Sequence, residues 1–182
     1  MLKRFRHPLV SLVTALSISG CRTGIDSPQK AYDGTVISHD QYAGMTDVVG
    51  ATLSDSAFPT LVQSKHLAGQ VDRSGKSVAW LYVSHDEPNV LNAFETAHDD
   101  RAQPLATKAF SRVRAAGVNE FSHEEVAVIF PDGYLASHAG TGMNIRLEGR
   151  HGAIVVTVPA LYIQGYLRKL AEVEACTKAK TC

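Results

Sequence analysis

Serine, histidine and an acidic residue stand side by side in three short stretches: Ser38-His39-Asp40, Ser84-His85-Asp86 and Ser122-His123-Glu124. These are the residue types of a hydrolase triad, in which a serine and a carboxylate contact opposite edges of one imidazole. Consecutive residues of a strand point to opposite faces of the sheet, so no single stretch can form that arrangement. The chain also lacks a Gly-x-Ser-x-Gly turn. We interpret the stretches as polar ends of apolar strands; only residues from different stretches could combine into a triad.

Histidines and carboxylates are also dense enough to raise the question of a metal. Glu95 and His98 have the Glu-x-x-His spacing of di-iron bundles, but there the unit occurs twice, with further glutamates. Here it occurs once, and no His-x-x-x-His or Cys-x-x-Cys accompanies it. We therefore expect no metal and no cofactor. His85 and Asp86 end an apolar strand, where functional residues often lie, and together with His98 and His123 they are the candidate residues of an enzyme.

The elements that would position these residues are clearest after Lys76. Residues 77–83 are apolar on both faces, which is typical of a strand covered on both sides. The spacing of apolar residues predicts helices over 89–98 and 104–116. Strands with hairpin spacing follow, over residues 125–130, 134–138, 143–148 and 153–158.

The C-terminal segment predicts an amphipathic helix that opens at Pro159, with Ile163, Tyr166 and Leu170 on its apolar face. Residues 35–75 have the weakest pattern, and short helices are expected near 48–49 and over 57–67. We therefore predict an α+β fold: an antiparallel sheet of about four to five strands, with helices packed mainly on one face and the C-terminal helix closing the core.

The first residues have the pattern of an export signal. Lys3, Arg4 and Arg6 precede a mostly apolar run over residues 9–18, which is too short to cross a bilayer. The run ends in Ile18-Ser19-Gly20-Cys21, which resembles the lipobox of bacterial lipoprotein signal peptides. The resemblance implies cleavage before Cys21, a diacylglyceryl group on its sulfur and further acylation such as palmitate. In the sorting pattern of that family an acidic residue after the cysteine favours the inner membrane, so by the same resemblance Arg22 implies an outer-membrane anchor facing the periplasm.

Cleavage would leave 162 of the 182 residues, enough for one core. We assign 1–20 to the signal peptide, 21–34 to the lipidated cysteine and a flexible tether, and 35–182 to a single globular domain. The whole chain has 18 basic and 18 acidic residues, and three of the basic ones lie in the leader, so the mature part has a net charge of −3. This charge excludes the basic surface of a nucleic-acid-binding protein.

Cys176 and Cys182 are the cysteines left over once Cys21 carries lipid. Exported domains retain disulfides, so we expect these two to pair. On a continuous helix they would lie about 9 Å apart along the axis, so the helix must end near Cys176 for the bond to form.

These patterns favour a non-catalytic, lipid-anchored binding protein that docks a protein or another envelope partner, as an immunity protein or envelope accessory would by analogy. Asn144, Arg146 and Glu148 form the polar face of a predicted strand. They would be the binding residues if that strand lies at a sheet edge. The alternative is a small periplasmic hydrolase or metal-dependent enzyme that uses the histidine and carboxylate candidates.

Overall fold

The computed structural model of the protein describes residues 24–57, 61–88, 90–114 and 121–181. Three helices lie within these ranges: α1 (Pro28–Asp33), α2 (Tyr134–His138) and α3 (Ala160–Ala179). The same ranges contain ten strands: β1 (Val36–Asp40), β2 (Met45–Val49), β3 (Leu53–Ala57), β4 (Leu61–Val71), β5 (Ser77–Pro88), β6 (Phe94–Asp99), β7 (Pro104–Arg114), β8 (Phe121–Ile129), β9 (Met143–Gly149) and β10 (Ala153–Val158).

The strands form one antiparallel sheet in the order β1-β2-β4-β5-β8-β7-β6-β9-β10, and β3 also pairs with β4. Strand β4 pairs with β3 through its first half and with β2 through its second half. Strand β5 pairs with β4 on one side and β8 on the other, so it is central. The ladder between β6 and β7 has only two rungs, Ala97–Leu105 and His98–Pro104. The sheet therefore opens there into a seven-strand part and a three-strand part.

Helix α3 closes the core against β2 and β4. Its apolar face buries Ile163, Leu170 and Val173 together with two tyrosines. The Tyr162 hydroxyl donates to the Ala51 carbonyl at 2.7 Å and accepts the Leu67 N–H at 3.0 Å, so its burial leaves no polar atom unpaired. The predicted C-terminal amphipathic helix is confirmed. No helix in the described ranges is long and apolar enough to span a membrane.

The predicted sheet of four to five strands with helices on one face is wrong, since the described chain is mostly an antiparallel sheet of ten strands. The two helices expected over 89–98 and 104–116 are instead strands β6 and β7. Strand β7 is rich in Ala, Lys and Arg, which favour helices, but its ladder with β8 overrides that preference. Phe110 and Val113 of this segment are half exposed on the strand.

Other short segments also differ in secondary structure from the sequence-based expectation. The strand expected over 134–138 is helix α2, which follows Gly133 in the left-handed region (φ 78°). Helices were expected near 48–49 and over 57–67, but these segments contribute to strands β2 and β4. The strands predicted over 77–83, 125–130, 143–148 and 153–158 correspond to β5, β8, β9 and β10 and are confirmed.

Part of the segment predicted as a tether is a helix of the core. Ser27 Oγ accepts the Lys30 N–H at 3.3 Å, and Pro28 takes the first helical position. Ala31 is fully buried against α3, where Gly165 allows a close crossing. A Cβ at Gly165 would lie 2.3 Å from the Pro28 carbonyl oxygen and 2.5 Å from the Ala31 Cβ.

Two of the predicted cysteine roles lie outside the described residues. Cys21 and the rest of the lipobox precede residue 24, and Cys182 follows residue 181. Cys176 is disulfide-bonded, and its pairing with Cys182 stays a prediction. Helix α3 runs three residues past Cys176, to Ala179, and Lys180 then leaves the helix with a φ of 55°.

Candidate functional site

Two of the three Ser-His-acid stretches pair with each other in the sheet. The stretch on β5 runs antiparallel to the one on β8, and the rungs are Ser84–Glu125, His85–Glu124, Asp86–His123 and Glu87–Ser122. Because side chains alternate along a strand, successive rungs face opposite sides of the sheet. His85 and Glu124 are buried on the inner side, whereas Asp86 and His123 are half-buried on the outer side.

The inner rung belongs to a buried polar cluster that holds the start of β6 against the sheet. His85 is 1% exposed and Glu124 is 2% exposed. The two Glu124 carboxylate oxygens accept the backbone N–H groups of Ala93, at 3.0 Å, and Phe94, at 3.1 Å. Ala93 adopts a φ of 53°, which is costly for a residue with a Cβ. The Glu124 hydrogen bonds therefore hold a strained turn in place.

His85 and Asn92 extend the inner cluster toward Glu87. His85 Nε2 lies 3.2 Å from Glu87 Oε2, and Asn92 Nδ2 donates to the same oxygen at 2.8 Å. The His85 ring also meets the Phe94 ring edge-on, with centroids 5.5 Å apart. Nearby on the same side, the buried Lys65 ammonium is paired with Asp55.

Ser122, His85 and Glu87 are the residue types of a triad and lie on one side of the sheet. His85 Nδ1 and Ser122 Oγ are both buried without a hydrogen-bond partner in the described part of the chain. Each of the two residues is 1% exposed. A triad serine must be linked to its histidine and reach substrate, so this arrangement is a packed polar core rather than an open active site.

The outer rung belongs to a cluster of ionisable groups around His123. His123 Nδ1 lies 2.6 Å from Asp86 Oδ1, and His123 Nε2 lies 3.2 Å from Glu125 Oε1. The Asp86 hydrogen bond raises the pKa of His123; burial opposes this rise and Glu125 adds to it. Interaction with the Tyr82 hydroxyl is the main reason that the pKa of Glu125 is lowered. His123 thus lies between two carboxylates, and this arrangement favours its protonated form.

An aromatic row and a groove lie beside this cluster on the same outer side. Tyr82 stacks on His66 with ring centroids 4.8 Å apart, and the Phe110 centroid lies 6.0 Å from that of Tyr82. A cavity of about 290 Å³, here named the outer groove, is lined by Gln70, Val78, Trp80, Lys108, Phe110, Ala127 and Ile129. Val78 is 49% exposed and Phe110 is 51% exposed.

The four candidate enzyme residues do not converge. Asp86 and His123 pair on the outer side, and His85 is buried on the inner side. His98 lies on β6, where its rungs are Pro104 and Arg146. No three His, Cys, Asp or Glu residues of the described ranges are grouped so that they could hold a metal ion.

The predicted binding residues Asn144, Arg146 and Glu148 lie on β9, which is paired with both β6 and β10 and is not an edge strand. Arg146 Nε donates to Glu148 Oε1 at 2.6 Å, and Asn144 Oδ1 accepts the Thr157 hydroxyl at 2.7 Å. These side chains are therefore engaged with each other and with the neighbouring strand.

Sequence reasoning missed the outer groove. Its signal in the sequence is the run of alternate residues Val78, Trp80 and Tyr82, a pattern that also predicts a second buried face of β5. The inner face of that strand is covered, but the outer one lies open. An exposed row of large apolar side chains on one sheet face is more informative than the same residues in a core.

Known proteins give no analogy for this arrangement, since no family model matches the chain and neither the curated proteins nor the solved structures that were searched have a significant match.

Proposed function

We propose that this protein is a non-catalytic, lipid-anchored binding protein that faces the periplasm and docks a protein partner of the cell envelope in the outer groove. The observation that carries the proposal is the exposure of Val78 and Phe110 beside Trp80 on a sheet face that none of the described helices covers. Grouped apolar side chains on an open surface are characteristic of interaction sites.

The anchor is supported by the resemblance of Ile18-Ser19-Gly20-Cys21 to a lipobox. Helix α1 begins at Pro28, seven residues after Cys21. An extended chain of that length spans about 24 Å. Lipid on Cys21 would therefore hold the domain close to the membrane surface, because α1 itself is packed on α3.

The histidines offer little support for catalysis. Both ring nitrogens of His123 face carboxylates, so the ring has no free nitrogen with which to take a proton from a substrate. His85 has a free nitrogen, but it is buried. A general base must lie within hydrogen-bond reach of the proton that it removes, and neither ring offers this.

A larger cleft of about 430 Å³ lies between the turn after β4, helix α2 and helix α3. Its lining mixes two cations, Lys76 and Lys178, with two anions, Asp132 and Glu174. Phe130 is the one aromatic residue of its described lining, whereas Trp80 and Phe110 both line the outer groove. The outer groove is therefore the better candidate for docking a partner through apolar contact.

Photo-crosslinking in living cells tests the proposal. A photoreactive amino acid at Phe110 should give a discrete adduct with an envelope protein after irradiation. The matched control is Val155, which is 57% exposed and apolar but lies on the edge strand β10. Adducts that are the same from both positions, or absent from Phe110, would contradict the assignment of the groove.

A further inference from the structure

We infer that the segment which enters the outer groove is acidic as well as apolar: a carboxylate of the partner pairs with Lys108 while a neighbouring apolar side chain packs over Ala127. This inference rests on the proposed function and specifies the chemistry of its partner. It follows from the distribution of charge and of side-chain size on the outer side of the sheet.

Lys108 carries the uncompensated charge of the groove. Its side chain is exposed, and within the described ranges its ammonium has no carboxylate partner; Nζ lies 5.3 Å from the centroid of the Phe110 ring. Among the residues that the structure describes, none that lines the groove is acidic. An exposed ammonium above an apolar surface is a ready partner for a carboxylate, and it also discriminates against a basic segment.

The acidic residues elsewhere on this side already have partners. Asp86 and Glu125 flank His123, and Asp47 accepts a hydrogen bond from Gln70 at 2.9 Å. Asp47 lies on β2, four strand spacings or about 19 Å from β7, which is beyond the screening length of physiological salt. The charge that a partner meets inside the groove is therefore that of Lys108, while Asp86, His123 and Glu125 lie outside its described lining.

The shape of the groove suits a side chain. Ala127 lies in register between Tyr82 on β5 and Lys108 on β7, so a small residue forms the floor between large ones. A bulge between Ala109 and Ser111 interrupts the β7 ladder at Phe110, whose ring forms one wall. A volume of about 290 Å³ is at the small end of ligand pockets and fits the side chains of a short segment.

A lipid surface fits this side of the sheet less well. A flat bilayer cannot fill a concave groove, and Lys108 is the one basic residue among the described lining residues, whereas anionic headgroups are bound by clusters of basic residues. We therefore commit to a peptide segment of a protein partner, and a membrane is an outcome that the experiment can reveal.

The test selects a random eight-residue peptide library, displayed on phage, against the purified full-length lipidated protein in detergent. Bound peptides without tryptophan are then titrated while the fluorescence of Trp80 is followed. Trp80 is the single tryptophan of the chain and lines the groove, so its emission reports occupancy directly. The same emission is recorded with the protein reconstituted in phosphatidylcholine and in phosphatidylglycerol vesicles.

We expect the selected peptides to be enriched in acidic residues next to apolar ones and to shift the Trp80 emission. Lys108→Glu should weaken their binding by about fivefold or more, since an attractive pair becomes a repulsive one. Lys76→Glu changes the net charge equally in the other cleft, so it should leave their affinity unchanged. Selection against Lys108→Glu should favour basic peptides.

The outcomes separate the two proposals. Peptides whose binding is lost with Phe110→Ser but which show no acidic preference would overturn the inference and leave the proposed function standing. A selection without any Phe110-dependent peptide would overturn both. A Trp80 shift that requires phosphatidylglycerol vesicles, with no enriched peptide, would replace the peptide with a membrane surface.

Discussion

Asp86 and His123 face each other across β5 and β8, with Oδ1 and Nδ1 2.6 Å apart, on the side of the sheet opposite to the adjacent rung of His85 and Glu124. Each rung pairs a histidine with a carboxylate, but the two rungs lie in different environments. The inner rung is sealed and braces the turn before β6, while the outer rung is in contact with solvent.

The outer rung should make stability depend on pH near neutrality. The pKa of His123 is raised above its ordinary 6.5 by Asp86 and Glu125, so its pairing stabilises fully below about pH 6.5 and is lost as pH rises through the folded-state pKa. His123→Gln should therefore lower the free energy of unfolding more at pH 5.5 than at pH 8.5. Because His123 is partly exposed, we expect a difference of about 0.5–1 kcal/mol. Urea unfolding measures it, and an equal loss at both pH values would contradict the ion-pair assignment.

The inner rung should contribute more to stability. Glu124→Gln replaces one accepting oxygen with an NH₂ group that meets a backbone donor at Ala93 or Phe94. We expect a loss of about 1.5–3 kcal/mol in the free energy of unfolding, measured by urea denaturation. Glu95→Gln is the matched control, because Glu95 is exposed and its partner Arg150 is a surface residue. Similar losses in both variants would argue against the bracing role of Glu124.

The crossing of α1 and α3 should not tolerate a methyl group. Alanine normally stabilises a helix relative to glycine. At Gly165, however, the added Cβ would meet the Pro28 carbonyl oxygen and the Ala31 Cβ at 2.3 and 2.5 Å. Gly165→Ala should destabilise the protein by about 1–3 kcal/mol and open the segment before β1 to proteolysis. Gly140→Ala, with open space around its Cβ, should be neutral in the same thermal melts.

Mass spectrometry can test lipidation at Cys21. The mature protein should begin at Cys21 and carry a diacylglyceryl group with further acylation, and Cys21→Ser should accumulate as the uncleaved precursor. Intact-mass measurement of protein extracted from membranes distinguishes the two forms. A mature chain with an unmodified Cys21 would be incompatible with the anchor.

The disulfide of Cys176 should use Cys182. Cys182→Ser should leave one thiol reactive toward a maleimide in unfolded protein, and Cys21→Ser should leave none at Cys176. The closed loop is short, so the bond should stabilise by about 2–2.5 kcal/mol in the chain-entropy model. A protected Cys176 in the Cys182→Ser variant would assign another partner.

Strong local patterns were the predictable part of the fold. The alternation in β9 and the amphipathic spacing of α3 each require one arrangement to bury their apolar residues, and both are confirmed. Strand β7 could not be predicted in this way, since its apolar residues also fit a helical spacing and its pairing with β8 is a tertiary effect. Helix α1 had local signals in Ser27 and Pro28, but its burial depends on Gly165, which is far along the chain.

The candidate site was less predictable still. His85 and Asp86 were singled out, and the expectation that neighbours on a strand face opposite ways holds for them. Their partners Glu124 and His123 lie 39 and 37 residues away, so only the register of β5 and β8 could reveal them. The outer groove depends on which face of β5 the rest of the chain leaves uncovered, and apolar composition alone carries no such information.

His85 pairs with Glu124 and Asp86 pairs with His123, so the order of histidine and carboxylate is reversed between the two rungs. This order also constrains the alignment of β5 and β8. A slip of β8 by two residues would keep the same side chains on each side of the sheet, so burial alone would barely oppose it. That slip would set Asp86 opposite Glu125 and Glu87 opposite Glu124, placing like charges together on both sides. The charges of these two stretches therefore oppose a slip of β5 against β8 in that direction, a constraint that an apolar stretch of the same length would not provide.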